Sequence, residues 1–444
     1  MKNTGRASVR EGHQLGGGPK LRVLLLSEYR AQGGAARATE RIFSAMRLVE
    51  DDTKVYPHLH IARGVHAEER ITGGKGLRNA LRYAVLWLGI AFSRIFSRFL
   101  FRPEHSSLHT TARVKTRVLE KFAGKFDVLH LHWLGDFSLS IEEIGASPVP
   151  VVWTLHDMWP YCGAEHQTPT DRFVKGYLST NRPSGERGPD VNRATWERKK
   201  LSWKRLPTMV APSTWSAENA RASALLKSAP IRELPHPIDT SFWAPPEQLE
   251  RESGLTAANL IRIGFPFPRE SEPWGKGLDL VGDILRSLRG LEGFNKHQWQ
   301  IIFFGGRSAE SHQEGFSFIN YGHLPDIELR DLYRHIDVLA FPSVIDTFGL
   351  VAQEAHACGT PVVCFADTGV ASIVQHRVTG YVAQFMDSHD FALGLEWVSR
   401  SPSRAARLGA AARERALSEW GLRKVGLEYA RLFREVAKPG PPGA

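Results

Sequence analysis

VLAFPSVIDTFGLVAQEAHACGTPVVCF, residues 338–365, contains two apolar runs separated by a polar turn and a helix-length stretch. Val338–Pro342 and Pro361–Phe365 are short, continuous and apolar, the pattern of strands covered on both faces of a parallel sheet. Leu350–Cys358 reads as a helix, with Gly349 before it and Gly359 and Pro361 after it as punctuation. The loop between the first strand and that helix lies at the strand's carboxyl end, where open α/β sheets bind their ligands.

The same alternation extends outward. Upstream come a strand at Ile261–Phe265, a helix at Gly277–Leu291 and a strand at Gln298–Phe304. Before Pro235-His236-Pro237 lies a first series: strand Leu21–Ser27, helix Arg37–Leu48, then strands Val128–His132, Val149–Leu155 and Thr208–Pro212. Two such series predict an α/β chain of two doubly wound, Rossmann-like domains, a division that suits 444 residues. The boundaries expected are 1–20 for a disordered lead-in, 21–228 and 229–410 for the two domains, 411–437 for a terminal helix and 438–444 for a flexible tail. The helical pattern Ser403–Val436 breaks near Trp420-Gly421. The polar stretch Thr168–Arg193, with three prolines, reads as a long surface loop.

Composition narrows the class. The chain is 42% hydrophobic and 23% charged, as in globular proteins. Three cysteines, Cys162, Cys358 and Cys364, form no even disulfide framework, so a cytoplasmic, reducing compartment is expected. A net charge of +10 favours anionic partners. Residues 78–102 hold Arg78, Arg82, Arg94, Arg98 and Arg102 among aromatic and aliphatic residues, with no acid. The uncharged part is too short to span a bilayer. Two readings stay open: a helix lying on an anionic membrane, peripheral on its inner face, or a helix packed on the core with its arginines in solvent. Nucleic acid is not an expected partner, since no recognition helix, RNP aromatics or zinc knuckle is present.

Chemistry-bearing residues cluster after the strands. Gly33-Gly34 lets backbone approach a ligand at a helix start. His156 and Asp157 close the strand Val149–Leu155. Lys276, between Gly275 and Gly277, suits a diphosphate, and Arg269 lies seven residues upstream as a second clamp. Asp346 and Glu354 are separated by seven residues, with Thr347, Phe348, Gly349 and Leu350 offering amides between them. A carboxylate in so apolar a stretch as Glu354 needs donors, and sugar or ribose hydroxyls supply them. His156, Cys162 and His166 lack the spacing of a closed zinc site, and no obligatory metal or other cofactor is expected.

The segment 346–354 resembles the Glu-x7-Glu signature of glycosyltransferase family 4, retaining enzymes of the GT-B fold, with Asp346 in the first place. Gly33-Gly34-Ala35-Ala36-Arg37 is similar to that family's first glycine loop. Leu129–Trp133 and Thr154–Pro160 resemble a subgroup of polysaccharide assembly. Leu234–Asp239 is similar to the interdomain Pro-Asn-Pro-Ile-Asp, with His236 for Asn. Glu419-Trp420 with Tyr429 and Phe433 resembles the terminal helix that crosses back onto the first domain. The resemblance implies two domains facing across a cleft. It also implies transfer of a hexose-type sugar, with retention, from a UDP- or GDP-sugar to a glycan or lipid-linked acceptor. A soluble small acceptor, a sugar-nucleotide epimerase and an inactive membrane-associated scaffold are the alternatives. By the same resemblance, Lys276 would bind the diphosphate, Glu354 the ribose and Asp346 the donor sugar, with backbone N–H groups of Phe348, Gly349 and Leu350 on phosphate. Gly33 and Gly34 would face the diphosphate, Gly305 would bind the donor, and Gly322-His323-Leu324 would form the base-side loop. His156 would lie near the sugar and the acceptor, and Arg37 and Asp157 would lie on the acceptor side, with His156, Lys276, Asp346 and Glu354 as the catalytic set. Arg269 is shifted by one from the usual arginine-to-lysine spacing.

Overall fold

The computed structural model describes residues 19–30, 33–62, 67–68, 70–73, 118–134, 138–246, 260–267, 274–292, 294, 299–306 and 316–438. The basic stretch 78–102, Arg269, most of the lead-in and the last six residues of the tail lie outside them.

The first sheet has eight strands in the order β3-β4-β2-β1-β5-β6-β7-β8. These are β1 Leu21–Ser27, β2 Val55–Ile61, β3 Ala67–Glu68, β4 Ile71–Gly73, β5 Val128–Leu131, β6 Val151–Thr154, β7 Thr208–Ala211 and β8 Ile231–Glu233. Every pairing is parallel except β3 with β4. The second sheet is parallel throughout, in the order β11-β10-β9-β12-β13-β14. Its strands are β9 Ile261–Pro266, β10 Trp299–Phe304, β11 Ser317–Asn320, β12 Val338–Phe341, β13 Val362–Phe365 and β14 Gly380–Ala383. The chain order reverses at β1/β5 in one sheet and at β9/β12 in the other. Such switch points leave a crevice beyond the strand ends, and the two crevices face each other.

Seven helices position the site: α1 Gly33–Leu48, α2 Thr214–Ala222, α3 Val281–Arg289, α4 Asp326–His335, α5 Leu350–Ala357, α6 Pro402–Glu419 and α7 Leu422–Ala437. The break at Trp420-Gly421 is a crossing point, where the Ile238 amide donates to the Trp420 carbonyl at 2.9 Å. Beyond it α7 packs on α1 and buries Val425, Tyr429 and Phe433 with Val23, Leu25 and Ile42 of the first lobe. Gly426 permits this approach, because a Cβ there would strike the Ala45 carbonyl.

Two sequence expectations change. α1 begins at Gly33 rather than Arg37, so the glycine pair is the helix's first turn and not a loop before it. The stretch Thr168–Arg193 is mostly irregular but not superficial. Arg172 is 2% exposed and Phe173 and Tyr177 are buried. Arg172 donates to Asp190 at 2.6 Å and to the Leu178 carbonyl at 3.3 Å, so a buried cation organises the polar segment from within.

Two histidines sit in the cores rather than at the cleft. His130 on β5 is 0% exposed beneath Tyr429 and Phe433 of α7. His356 on α5 is 0% exposed, 3.1 Å from the Thr379 hydroxyl. Burial pulls each imidazole down to about 3, helped by His156 for the first and Arg415 for the second. An unfolded histidine titrates near 6.5, so between that pH and about 3 the unfolded chain binds more protons than the native one. Stability therefore falls with acidification through this window. Urea unfolding at pH 5 should show a lower midpoint than at pH 7, with each of these histidines costing about 2 kcal/mol; an unchanged midpoint would contradict their burial as neutral groups. A second expectation concerns the turn under α3. Gly277 has φ +66°, and a Cβ there would land on the Pro342 carbonyl. Gly277→Ala should lower thermal stability by more than the 1–2 kcal/mol, roughly, of left-handed backbone alone, as read by thermal denaturation.

Candidate functional site

The facing crevices enclose a cleft of about 500 Å³. One wall belongs to the first lobe and carries Gly34, Trp133, His156, Asp157, His166 and Gln167. The other belongs to the second lobe and carries Pro266, Phe267, Lys276, the 341–343 backbone and Asp346 to Val351. His236, at the interlobe link, lines it as well.

The second-lobe wall is built by its backbone. The amides of Val344 and Ile345 donate to the Gly275 carbonyl at 3.1 and 3.0 Å. That clamp brings the neighbouring Lys276 ammonium within 2.6 Å of an Asp346 carboxylate oxygen. The other Asp346 oxygen accepts from the Phe348 amide at 3.1 Å, so this amide, counted among the phosphate donors on the family resemblance, is already engaged. Gly349, at φ +94°, turns the chain into α5, whose first turn has no side-chain cap. The Leu350 end of α5 therefore opens on the cleft with helix N–H groups and the positive end of its dipole.

The lobes are joined across this wall. The Thr347 hydroxyl donates to the His156 carbonyl at 2.9 Å, and Ser213, the N-cap of α2, donates to the Thr347 carbonyl at 2.6 Å. Gly34 faces Leu350 closely enough that a Cβ would meet the leucine's Cδ1 at 3.9 Å.

Glu354 lies one turn along α5 and is 1% exposed. Its carboxylate is held by Arg41 from α1, by Arg37 at 3.6 Å and by the Tyr333 hydroxyl at 3.1 Å. Arg37 also pairs with Asp326 at the start of α4, at 2.5 Å. Burial opposes the Arg37 charge, but Glu354 and Asp326 outweigh it and raise the guanidinium's pKa. Arg37, expected on the acceptor side, is thus engaged with second-lobe acids, and Glu354 is set back from the lining surface.

On the first-lobe wall, burial lowers the His156 pKa to about 4 against the opposing charge of Asp157. Burial pushes the Asp157 carboxyl up, yet His166, the Trp159 amide and His156 together hold it below its usual value. His166 Nδ1 lies 2.6 Å from one Asp157 oxygen, and its ring faces that of Trp133 at 5.5 Å. The amide of Gly305 (φ +102°) donates to the Gly322 carbonyl at 2.5 Å, which sets the loop of His323 and Leu324 beside the end of β10 and outside the lined cleft. Gly33 starts α1 but does not line the cleft.

The sequence pattern points to neither Arg41 nor Gln167, and it carries His132, Trp133 and His236 only within motifs, with no site role of their own. Arg41 is one helical turn beyond Arg37, a spacing that would have placed both on one face. Trp133 directly follows β5 at the switch point, and position alone could have flagged it. Among the described residues no cluster of three or more His, Cys, Asp or Glu is placed to hold a metal ion, and no helix is long and apolar enough to cross a membrane.

A family model described as Glycosyltransferase Family 4 matches residues 71–242, and one described as Glycosyl transferases group 1 matches residues 271–415. Among curated relatives, a D-inositol 3-phosphate glycosyltransferase of Xylanimonas cellulosilytica is 44% identical over 232 residues, 48% of this chain and 52% of the relative. The chain's matches thus span about half the length, or less, of the curated relatives they reach. Among solved structures, sucrose-phosphate synthase of Thermosynechococcus elongatus superposes with a TM-score of 0.62 at 15% identity, covering 94% of this chain and 99% of that one. Anabaena HepE, solved in complex with UDP-glucose, gives a TM-score of 0.58 at 16% identity, covering 94% and 100%. At such identities these two report the fold alone. With two lobes facing across a cleft and both family models matched in order, the chain belongs to the family-4 glycosyltransferases and has the GT-B fold.

Proposed function

We propose that the chain transfers a hexose-type sugar from a nucleoside-diphosphate sugar to an acceptor hydroxyl, with retention of configuration, inside this cleft. The observation that carries the reading is the opposition of two walls. Lys276, Asp346 and the uncapped start of α5 form one, and Gly34, His156 and Asp157 form the other. A diphosphate fits the first wall by charge, and a sugar between the walls meets hydroxyl-binding groups from both. The UDP-glucose in HepE and the glycosyltransferase names of the relatives support the same donor class.

In this reading the anomeric carbon's bond to the diphosphate oxygen breaks as its bond to the acceptor oxygen forms, and the acceptor's proton passes to the departing phosphate. Negative charge grows on that phosphate. Lys276 and the amides at Gly349–Val351 stabilise it, the dominant electrostatic contribution in such sites. Asp346 then exchanges its ion pair with Lys276 for donor-sugar hydroxyls, and Glu354 exchanges Arg41 for ribose hydroxyls. Closure of the lobes over both substrates excludes water that would hydrolyse the sugar. Charge neutralisation rests on protein groups, so no metal is required.

Two acceptor classes are supported by different observations. The subgroup resemblance of 129–133 and 154–160 favours a lipid-linked glycan made at the inner membrane face from the cytoplasmic side. The inositol-phosphate transferases among the relatives favour a small soluble polyol. Parallel assays with a detergent-solubilised lipid-linked sugar and with inositol 3-phosphate separate them.

A thermal-shift panel of UDP- and GDP-hexoses tests the donor: one nucleotide should raise the melting temperature, adding about 2.7 kcal/mol at a hundred times its Kd, and no response to any of them defeats the reading. Lys276→Ala should lower kcat at least about a hundredfold, as loss of a preorganised donor to developing charge does. Measured as nucleotide release, an unchanged rate removes Lys276 from the mechanism. Activity should persist in excess EDTA; its abolition, with recovery on adding Mg²⁺, would replace the proposed charge neutralisation by a metal-assisted one.

A further inference from the structure

His132, which follows β5, is 0% exposed and does not line the cleft. Its Nδ1 lies 3.0 Å from Nε2 of His156, with ring centroids 5.2 Å apart and planes 30° from parallel. That separation is what an in-line, edge-to-edge contact between two imidazoles gives. His132 Nε2 has no hydrogen-bond partner among the described residues. Burial, reinforced by His130, His156 and His236, drives the His132 pKa well down. Both rings of the pair are therefore neutral, and one proton is shared along the contact.

That proton sits on one side or the other. If His156 Nε2 carried it, His132 would keep its own proton on Nε2, a buried N–H with nothing to receive it. Orphaned buried donors of that kind are rarer in folded proteins than under-used acceptors. With the proton on His132 Nδ1, only a lone pair is left without a partner. His156 Nε2 is then an acceptor, and its own proton lies on Nδ1, which takes no protein partner among the described residues. His236, near-parallel to His156 at 5.3 Å, and the Thr347 bond to the His156 carbonyl hold the ring in this orientation.

The geometry points to His132 as a positioning residue: its Nδ1–H donates to His156 Nε2 and so fixes His156 in the tautomer that presents an Nδ1–H donor to the cleft. The atom thus presented matches an oxygen of the donor sugar or its departing phosphate, not an N–H group of a ligand. The inference rests on the proposed transfer reaction and specifies which atom of His156 serves it. It also separates His132 from its neighbour His130, whose Nε2 lies against the Thr154 hydroxyl at 2.8 Å in the core.

The test uses full-length protein and donor hydrolysis, with UDP-glucose, UDP-N-acetylglucosamine and GDP-mannose assayed in turn. kcat, KM and melting temperature are measured together. His132→Phe keeps an aromatic ring and removes the donor; it should lower kcat about ten- to a hundredfold while KM and the melting temperature hold. His132→Asn places a side-chain N–H near the Nδ1 position and should restore most of kcat, whereas His132→Gln, whose amide sits near the ε position, should not. In a His156→Ala background, His132→Phe should cost nothing further, because the residue acts through His156. Wild-type kcat in His132→Phe overturns the inference, and so does an added loss in the double variant. Should His132→Phe fail to fold, the Asn and Gln variants decide: equal kcat in both overturns it. A wild-type protein inert toward all three donors sinks the transferase reading itself, a different result from an active wild type matched by its variants.

Discussion

Thr347 bonds the two halves to each other at the cleft wall. It belongs to the second lobe, yet its hydroxyl is bound to the first lobe's His156 carbonyl and its own carbonyl is bound by Ser213. Both bonds engage main-chain atoms at the ends of strands or the start of a helix, so they register one sheet's carboxyl edge against the other's. Everything chemical in the cleft depends on that registration. Asp346 precedes Thr347, the start of α5 follows it, and His156 is its partner. A shift of the lobes by a bond length or two would separate the walls between which the proposed donor is held.

Charge in the cleft wall and just behind it is arranged in pairs. Lys276 faces Asp346 and Arg41 faces Glu354, and the second pair joins opposite lobes. Low-dielectric surroundings make an unpaired ion costly, so the acids and bases proposed to meet a diphosphate and its sugars neutralise each other. The histidines nearby follow the same constraint by a different route: burial keeps them neutral. The cleft thus combines paired full charges with uncharged, oriented dipoles.

Much of this was legible in the sequence. The apolar runs that became β1, β5, β6, β7, β9, β10, β12 and β13 are the central strands, covered on both faces and therefore unmistakable. The strands that escaped are those whose surroundings dilute the pattern. β2 carries Pro57, His58 and His60, and tolerates the proline because its pairing with β4 begins only at Leu59. β8 and β11 are edge strands with exposed residues. At the site, glycines and acids announced themselves by position after strands, whereas Arg41, His132 and Gln167 did not. Their roles arise from contacts between residues 24 to 313 positions apart, a scale on which local pattern carries no information. The burial of Arg172 was equally invisible, since a polar segment and a surface loop look alike until the partners of its charge are known.

The bridge between Arg41 and Glu354 supplies the carboxylate behind the cleft wall with a partner from the opposite lobe. Under the role proposed for Glu354, a ribose would displace the guanidinium of Arg41 already seated there, so its observed affinity would be the difference between two associations, not the strength of one. By the same proposal the exchange would run in reverse after turnover, a departing nucleotide leaving a carboxylate whose replacement partner is tethered on α1. Tight holding of the spent product would thereby be disfavoured by the protein's own side chain.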